Sequence, residues 1–337
     1  MGRYDHLDES SVRERPSRRN TRPRSKDRPA HEDAVEGMVV GVDRGRYSVR
    51  VQERTVVAMR ARELGRTRIV VGDVVAMVGD TTGAPDSLAR IVRVEERRTV
   101  LRRSADDSDT VERVIVANAD QLVVVTALAD PEPRTRMVDR CLVAAYDAGL
   151  SPLLMLTKAD LADPEEFLSH YAALDVPHVV SRNTPAGELD AADVDAVRSH
   201  LVGRTSVLIG HSGVGKSTLV NALVPGTDRA TGAVNVVTGR GRHTSSSAVA
   251  LELADGGWVV DTPGVRSFGL GHVDPATFVQ HFEDLAPGTV LCPRGCSHDE
   301  PACGLDQWVA RDGGTNGAER LESLRRLLRS RSGEERG

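Results

Sequence analysis

The chain has 337 residues, of which 39% are hydrophobic and 28% charged, with a formal net charge of −5; this is enough for two or three domains and argues against wholesale disorder. No apolar run reaches the roughly 18 residues of a membrane span, and the charged N-terminus lacks the apolar stretch of a signal peptide. Four cysteines, three of them within twelve residues, are too few and too clustered for a secreted disulfide framework, so a cytoplasmic protein is expected.

The charge is unevenly spread. Residues 1–103 hold 23 basic and 16 acidic side chains, and residues 104–337 hold 21 and 33. A basic front joined to an acidic back suggests that one end meets a polyanion. Only three of the 44 cations are lysines, at Lys26, Lys158 and Lys216. Where arginine is the default cation, a retained lysine marks a place where a guanidinium does not serve.

Residues 1–35 are rich in Arg, Ser, Pro and Asp and read as a disordered basic arm that could touch nucleic acid. Over 36–103 the segments 38–42, 47–51, 56–59, 73–78 and 91–94 are β-branched, partly alternating, and separated by turns. Five short strands suit a small five-stranded barrel of the OB-fold type, with an SH3-like barrel as the alternative. This region carries a net charge of +5 and one aromatic, Tyr47. RNA binding here would rest on arginines and backbone phosphates rather than on base stacking.

From 104 to 271 the pattern becomes apolar strands alternating with helices, which predicts a mostly parallel sheet covered on both faces. Strands are expected at 121–126, 153–157, 178–181, 206–210, 248–253 and 258–261, and helices near 134–148, 163–173, 189–201 and 216–224. Residues 272–337 hold a Cys/His cluster and a charged helix over 317–331. The whole reads as a multidomain α/β protein.

Gly210-His211-Ser212-Gly213-Val214-Gly215-Lys216-Ser217 matches G-x-x-x-x-G-K-[ST], between an apolar strand and a helical stretch beginning at Thr218. Glycines let backbone N–H groups close around phosphates at a helix N-terminus. Lys216 is expected on the β- and γ-phosphates and Ser217 on Mg²⁺. Asp261-Thr262-Pro263-Gly264 fits D-x-x-G at a strand end; Asp261 can hold Mg²⁺ through water, and the Gly264 amide can sense the γ-phosphate. Thr157-Lys158-Ala159-Asp160 resembles the guanine-reading N-K-x-D motif of GTPases, with Thr for Asn. Asp160 can accept from guanine N1–H and the exocyclic amine, donors that adenine lacks. The stem of Lys158 can pack along the base.

The order of these motifs is unusual. The guanine motif precedes the phosphate loop, and the strand missing after Asp261 is supplied by 121–126. The six strands therefore make a complete GTPase sheet with its ends moved, a circular permutation. The D-x-x-G segment then runs straight into residues 272–337.

With this order, with Gly239-Arg240-Gly241-Arg242-His243-Thr244 before a strand, with Asp261-Thr262-Pro263-Gly264-Val265-Arg266, and with the Cys/His cluster, the chain resembles the ribosome small subunit-dependent GTPase A family over about 36–330. The resemblance implies an N-terminal OB-fold, a central permuted GTPase domain and a C-terminal zinc domain. It also implies a role in late maturation of the small ribosomal subunit, with GTP hydrolysis stimulated by that subunit. Thr244 corresponds to the family's switch threonine, a Mg²⁺ and γ-phosphate contact, with Ser245 beside it as the alternative ligand. Ser181 stands where a guanine-contacting Ser-Ala segment is expected, and Arg182 departs from that pattern. Val265 replaces the glutamine that many GTPases place after D-x-x-G to orient water, which makes His243, matching a histidine of the family motif, the internal candidate for that task.

Cys292, Cys296, His298 and Cys303 supply three thiols and an imidazole, enough for a closed structural zinc site. The first and last gaps are each one residue shorter than in the family pattern. Cys141 lies in an apolar helical stretch and reads as core. The leading expectation is a monomeric GTPase bound to the small ribosomal subunit and its rRNA, using Mg²⁺ with GTP or GDP, without membrane attachment. A GTP-dependent nucleic-acid-binding switch with little useful hydrolysis is the alternative, and a P-loop kinase, which lacks a visible acceptor site, is the third.

Overall fold

Alternation with period two builds the first five strands: β1 (Val35–Asp43), β2 (Arg46–Val51), β3 (Arg54–Arg60), β4 (Val74–Gly79) and β5 (Ala89–Val94). In β2, Tyr47, Val49 and Val51 are buried, whereas Arg46 is exposed. In this computed structural model, which describes residues 31–103, 113–226, 248–262, 268, 270–314 and 316–331, the strands pair in the order β1-β2-β3-β5-β4 and β4 returns to β1. The barrel is closed, and β3 and β5 run parallel, the crossed connection of a five-stranded OB-type barrel. Val39, Tyr47, Val49, Val56, Val75, Met77 and Ile91 fill it. Tyr47 is therefore a core residue and offers no stacking surface. Of the basic arm at 1–35, residues 1–30 lie outside the described residues.

A short hairpin of β6 (Val100–Arg103) and β7 (Arg113–Ala117) follows, in a stretch where the sequence suggested no strand. Side chains sew it to the barrel. The Asn118 amide donates to Gly72 O at 2.9 Å and its Oδ1 accepts from Arg98 N at 2.8 Å. Fully buried Asp73 accepts from Val70 N at 2.8 Å and from Arg97 Nε at 2.7 Å.

The second sheet comprises β8 (Gln121–Ala127), β9 (Ser151–Thr157), β10 (His178–Val180), β11 (Thr205–Ile209), β12 (Val249–Glu252) and β13 (Trp258–Asp261), in the order β10-β9-β8-β11-β13-β12. All neighbours are parallel except β12 against β13. Every residue of β8 is buried, as a strand covered on both faces requires. Leu122 and Val124 join the core on one face with α1 (Thr135–Asp147). Val123 and Val125 join the other, with α3 (Ala191–Leu201) and α4 (Lys216–Leu223). The expected strands and helices over 121–261 form with ends shifted by at most two residues, with one exception. The helix expected at 163–173 stops early: α2 spans Pro164–Ser169, and buried Tyr171 turns inward against Phe167 with its hydroxyl donating to Thr135 O at 3.2 Å.

The remaining helices are α5 (Pro275–Phe278), α6 (Gly304–Asp312) and α7 (Gly317–Arg331). Residues 138 to 145 of α1 are all buried because α7 covers the side that the sheet does not. Leu321, Leu324, Leu327 and Leu328 of α7 share one core with Val138, Leu142, Phe278 and Phe282. Each such side chain contributes about 1.5–3 kcal/mol when buried, so this apolar packing is a large part of what holds α7 down, beside polar ties such as Arg325 Nε to His298 O at 2.9 Å. Cys141 is buried in this core, and burial pushes its thiol up to about 12. Arg140, also buried, donates to Ser330 O at 2.6 Å and to Phe268 O. At the other edge, Gly41 of β1 pairs with Val249 of β12 and Arg50 lies 2.7 Å from Glu252, so the barrel continues the sheet. Among the described residues no helix is long and apolar enough to cross a membrane.

Candidate nucleotide-binding site and metal centre

The phosphate-loop sequence leaves β11 at Gly210 and enters α4 at Lys216. A Cβ on Gly210 would lie 2.2 Å from Val125 O, so only glycine fits against the neighbouring strand. Gly213 and Gly215 have φ of +83° and +90°, the left-handed region that side chains disfavour. These turns deliver the chain to the start of α4, where Ser217 and Thr218 occupy the first turn. Lys216 Nζ donates to His211 O at 2.9 Å and also to Gly210 O, which folds the ammonium over its own loop.

Thr157 ends β9 two strands away and reaches the same loop. Its hydroxyl donates to Val214 O at 2.8 Å. Lys158 follows with φ +59° and donates to Asp130 O. Asp160 Oδ1 accepts from Asn183 N at 2.8 Å. Ser181 ties the two segments together: its N donates to Leu156 O at 2.7 Å and its O accepts from Ala159 N at 3.0 Å. The Ser181 hydroxyl is buried without a hydrogen-bond partner, which a bound ligand could satisfy. A cavity of about 600 Å³ opens between the motifs, lined by Thr157, Lys158, Asn183, Gly213, Lys216 and Ser217 among others, a size that suits a nucleotide. Asp261 ends β13 opposite Leu208, and Thr262 donates to Leu208 O at 3.1 Å. Ser217 and Asp261 offer the hard oxygen donors that Mg²⁺ takes. His243, Thr244, Ser245, Gly264 and Val265 lie outside the described residues.

Two residues of this site escape a motif search. Asn183 presents its backbone amide to Asp160, and no side-chain type announces that. Asp193, in the first turn of α3, accepts from Arg182 N at 2.8 Å. An acid three residues after the N-cap Asp190 is the usual helix-start pattern, and it hides the contact.

The cysteine cluster closes on itself. Sγ of Cys292, Cys296 and Cys303 and a ring nitrogen of His298 lie within 4.8 Å of one another. Cys292 Sγ is 3.9 Å from Cys303 Sγ and 3.6 Å from His298 Nδ1. Bonds of about 2.3 Å to sulfur and 2.0–2.1 Å to nitrogen around a tetrahedral ion give edges of about 3.6–3.8 Å, so the shorter gaps still fit. Burial pushes the His298 ring down, which keeps it in the neutral form that ligates. Burial pushes the Cys292 thiol up and Cys296 up to about 12; a divalent cation is what would convert both to thiolates.

A phosphate loop on the central strand, with a guanine-type motif beside it that comes earlier in the chain, makes this a circularly permuted P-loop GTPase fold. A family model described as RsgA GTPase matches residues 94–271. A small ribosomal subunit biogenesis GTPase RsgA of Ectopseudomonas mendocina (strain ymp) is 42% identical over 224 residues, 64% of this chain and 63% of that one; the match thus spans less than two thirds of that relative's length. Its namesake in Pseudomonas aeruginosa (strain LESB58) is 39% identical over 270 residues, 78% and 76% of the two chains. The crystal structure of YjeQ from Thermotoga maritima superposes with a TM-score of 0.63 at 25% identity, covering 90% of this chain and all of the other. YloQ, described as a circularly permuted GTPase, shares the fold with a TM-score of 0.61 at 20% identity over 92% of this chain and 100% of its own. The chain belongs to the RsgA GTPase family.

Proposed function

We propose that this protein hydrolyses GTP in the late maturation of the small ribosomal subunit, and that the subunit stimulates the reaction. The observation that carries the reading is the Thr157–Val214 hydrogen bond. It joins a base-reading motif to a phosphate loop around one cavity, and it supports one guanine nucleotide as the ligand. The names of the relatives supply the subunit as partner. In this reading Gly210, Ser212, Gly213, Val214 and Gly215 cradle the phosphates, and Lys216 neutralises the β- and γ-phosphates. Ser217, Asp261 and Thr244 hold Mg²⁺, Thr218 and Gly264 contact phosphate, and Thr157, Lys158, Asp160 and Ser181 take the base. His243 orients the attacking water. Zinc fits the four-ligand cluster, where it would supply structure and no open coordination position. The closed basic barrel over 36–103 faces rRNA, joined by the arm at 1–35; the GTPase domain spans 104–271 and the zinc domain 272–337. The protein works as a cytoplasmic monomer.

Phosphate release from GTP, with ATP as the control, tests the reading. Lys216→Ala abolishes release and weakens GTP binding. Equal turnover of ATP, or wild-type turnover by the variant, overturns it.

A further inference from the structure

The four candidate metal ligands come from two pieces of chain. Cys292, Cys296 and His298 lie in the turns that follow residue 291, whereas Cys303 is the N-cap residue of α6. His298 has φ +67°, in the left-handed region that residues other than glycine disfavour. Such a conformation persists only where its neighbours fix it. Its own turn supplies one contact, from His298 N to Cys296 Sγ at 3.4 Å. The other comes from α7, where Arg325 Nε donates to His298 O at 2.9 Å. The far end of the same guanidinium reaches the second piece. Arg325 Nη1 and Nη2 donate to Asp306 Oδ1 and Oδ2 at 3.0 and 2.6 Å, a two-point contact of fixed direction. Asp306 stands in the first turn of α6, and its N donates to Cys303 O at 3.4 Å. One side chain, only 15% exposed, therefore spans from the carbonyl of one ligand to the helix that begins at another. One turn along α7, Arg329 holds Asp299, the neighbour of His298, at 2.6 Å, so the helix grips this turn twice.

We infer that Arg325 is a positioning residue of the metal centre: it fixes His298 relative to Cys303, so that the four ligands are gathered before a metal ion arrives. This rests on the reading of the cluster as a zinc site and is independent of the proposed reaction, because Arg325 has no part in the nucleotide site. Arg325 is not a ligand and acts through geometry rather than charge. Asp306 neutralises the guanidinium, while the planar fork and the separate Nε donor hold two partners at a set distance from each other. A lysine ammonium in the same place is a point charge without that fork. Groups that orient metal ligands without touching the metal are worth about 10- to 100-fold in metal affinity.

The test uses the full chain. Zn²⁺ affinity is measured by competition with a chromophoric chelator, and the Co²⁺-loaded form is followed by visible absorption, whose bands report how thiolates and imidazole surround the ion. Arg325→Gln is expected to bind Zn²⁺ about 10- to 100-fold more weakly than wild type, with the Co²⁺ bands shifted and weakened. Arg325→Lys keeps the charge without the fork and is expected to behave like the glutamine variant. Leu324→Ala removes a fully buried contact of the same helix; it is expected to lower the melting temperature and to leave Zn²⁺ affinity and Co²⁺ bands close to wild type. If Arg325→Gln does not fold, Asp306→Asn, which breaks the fork and keeps the arginine, is expected to change both readouts in the same direction. Unchanged Zn²⁺ affinity in the folded Arg325 or Asp306 variant overturns the inference. So does full affinity in Arg325→Lys, or an equal fall in Leu324→Ala. A wild-type chain that binds no Zn²⁺ refutes the zinc reading itself, whereas wild-type binding with indifferent variants refutes only the role of Arg325.

Discussion

The Thr157 hydroxyl donates to the Val214 carbonyl at 2.8 Å, across 57 residues of sequence. A guanine motif normally has asparagine here, and the short threonine makes the tie to the phosphate loop with one O–H. Thr157→Val keeps the volume but removes the donor, leaving a buried carbonyl unpaired at a cost of about 1–3 kcal/mol. GTP affinity is expected to fall by about 5- to 100-fold, while Thr157→Ser stays close to wild type. A fluorescent GTP analogue measures both, and unchanged binding by the valine variant would show that the bond does not order the loop.

Asp160 tests base reading separately from phosphate binding. Asp160→Asn presents a donor to the 2-oxo group of xanthine, whereas guanine carries a donor at that position. Preference is expected to swing from GTP to xanthosine triphosphate, read by competition against labelled GDP. The Asn183 amide at 2.8 Å is kept in the variant if the retained side-chain oxygen faces it. Unchanged GTP preference places guanine recognition elsewhere.

Much of this was legible in the sequence because strong local constraints carried it. The glycines at 210, 213 and 215 are demanded by a close strand and two left-handed turns, so the phosphate loop reads directly from residue types. The apolar runs that became β8, β9 and β11 announce a two-face-covered sheet. The strand supplied by 121–126 was legible from the motif order, but the individual registers were not: neither the pairing of β4 with β1 nor that of Gly41 with Val249 leaves a periodic signal. The β6–β7 hairpin was missed because each strand is short and arginine-flanked. The expectation that base stacking is poorly supplied in the barrel agrees with the alternation of Tyr47 with Val49 and Val51, which turns the one aromatic inward. Asp193 and Asn183 escaped because one resembles ordinary helix capping and the other acts through its backbone.

Metal removal is expected to have a bounded effect. Cys296→Ser removes one of the four donors, so the metal content per chain, measured by elemental analysis, is expected to fall below that of the unmutated chain. Amide exchange speeds up over 292–303, where metal ligation would fix the loop. The leucines of α7 remain packed on α1, so exchange over 321–328 and GTP affinity change little. Full loss of protection in α7 would mean that the metal, and not the shared core, holds that helix.

In the proposed reaction the subunit drives the chemistry. Steady-state GTP hydrolysis by the full chain, titrated with purified small ribosomal subunits, tests it most directly. Low turnover of the protein alone and a saturable rise with subunit concentration are expected, lost in Lys216→Ala and largely lost in His243→Ala with GTP binding intact. A rate that does not change as subunits are added contradicts it.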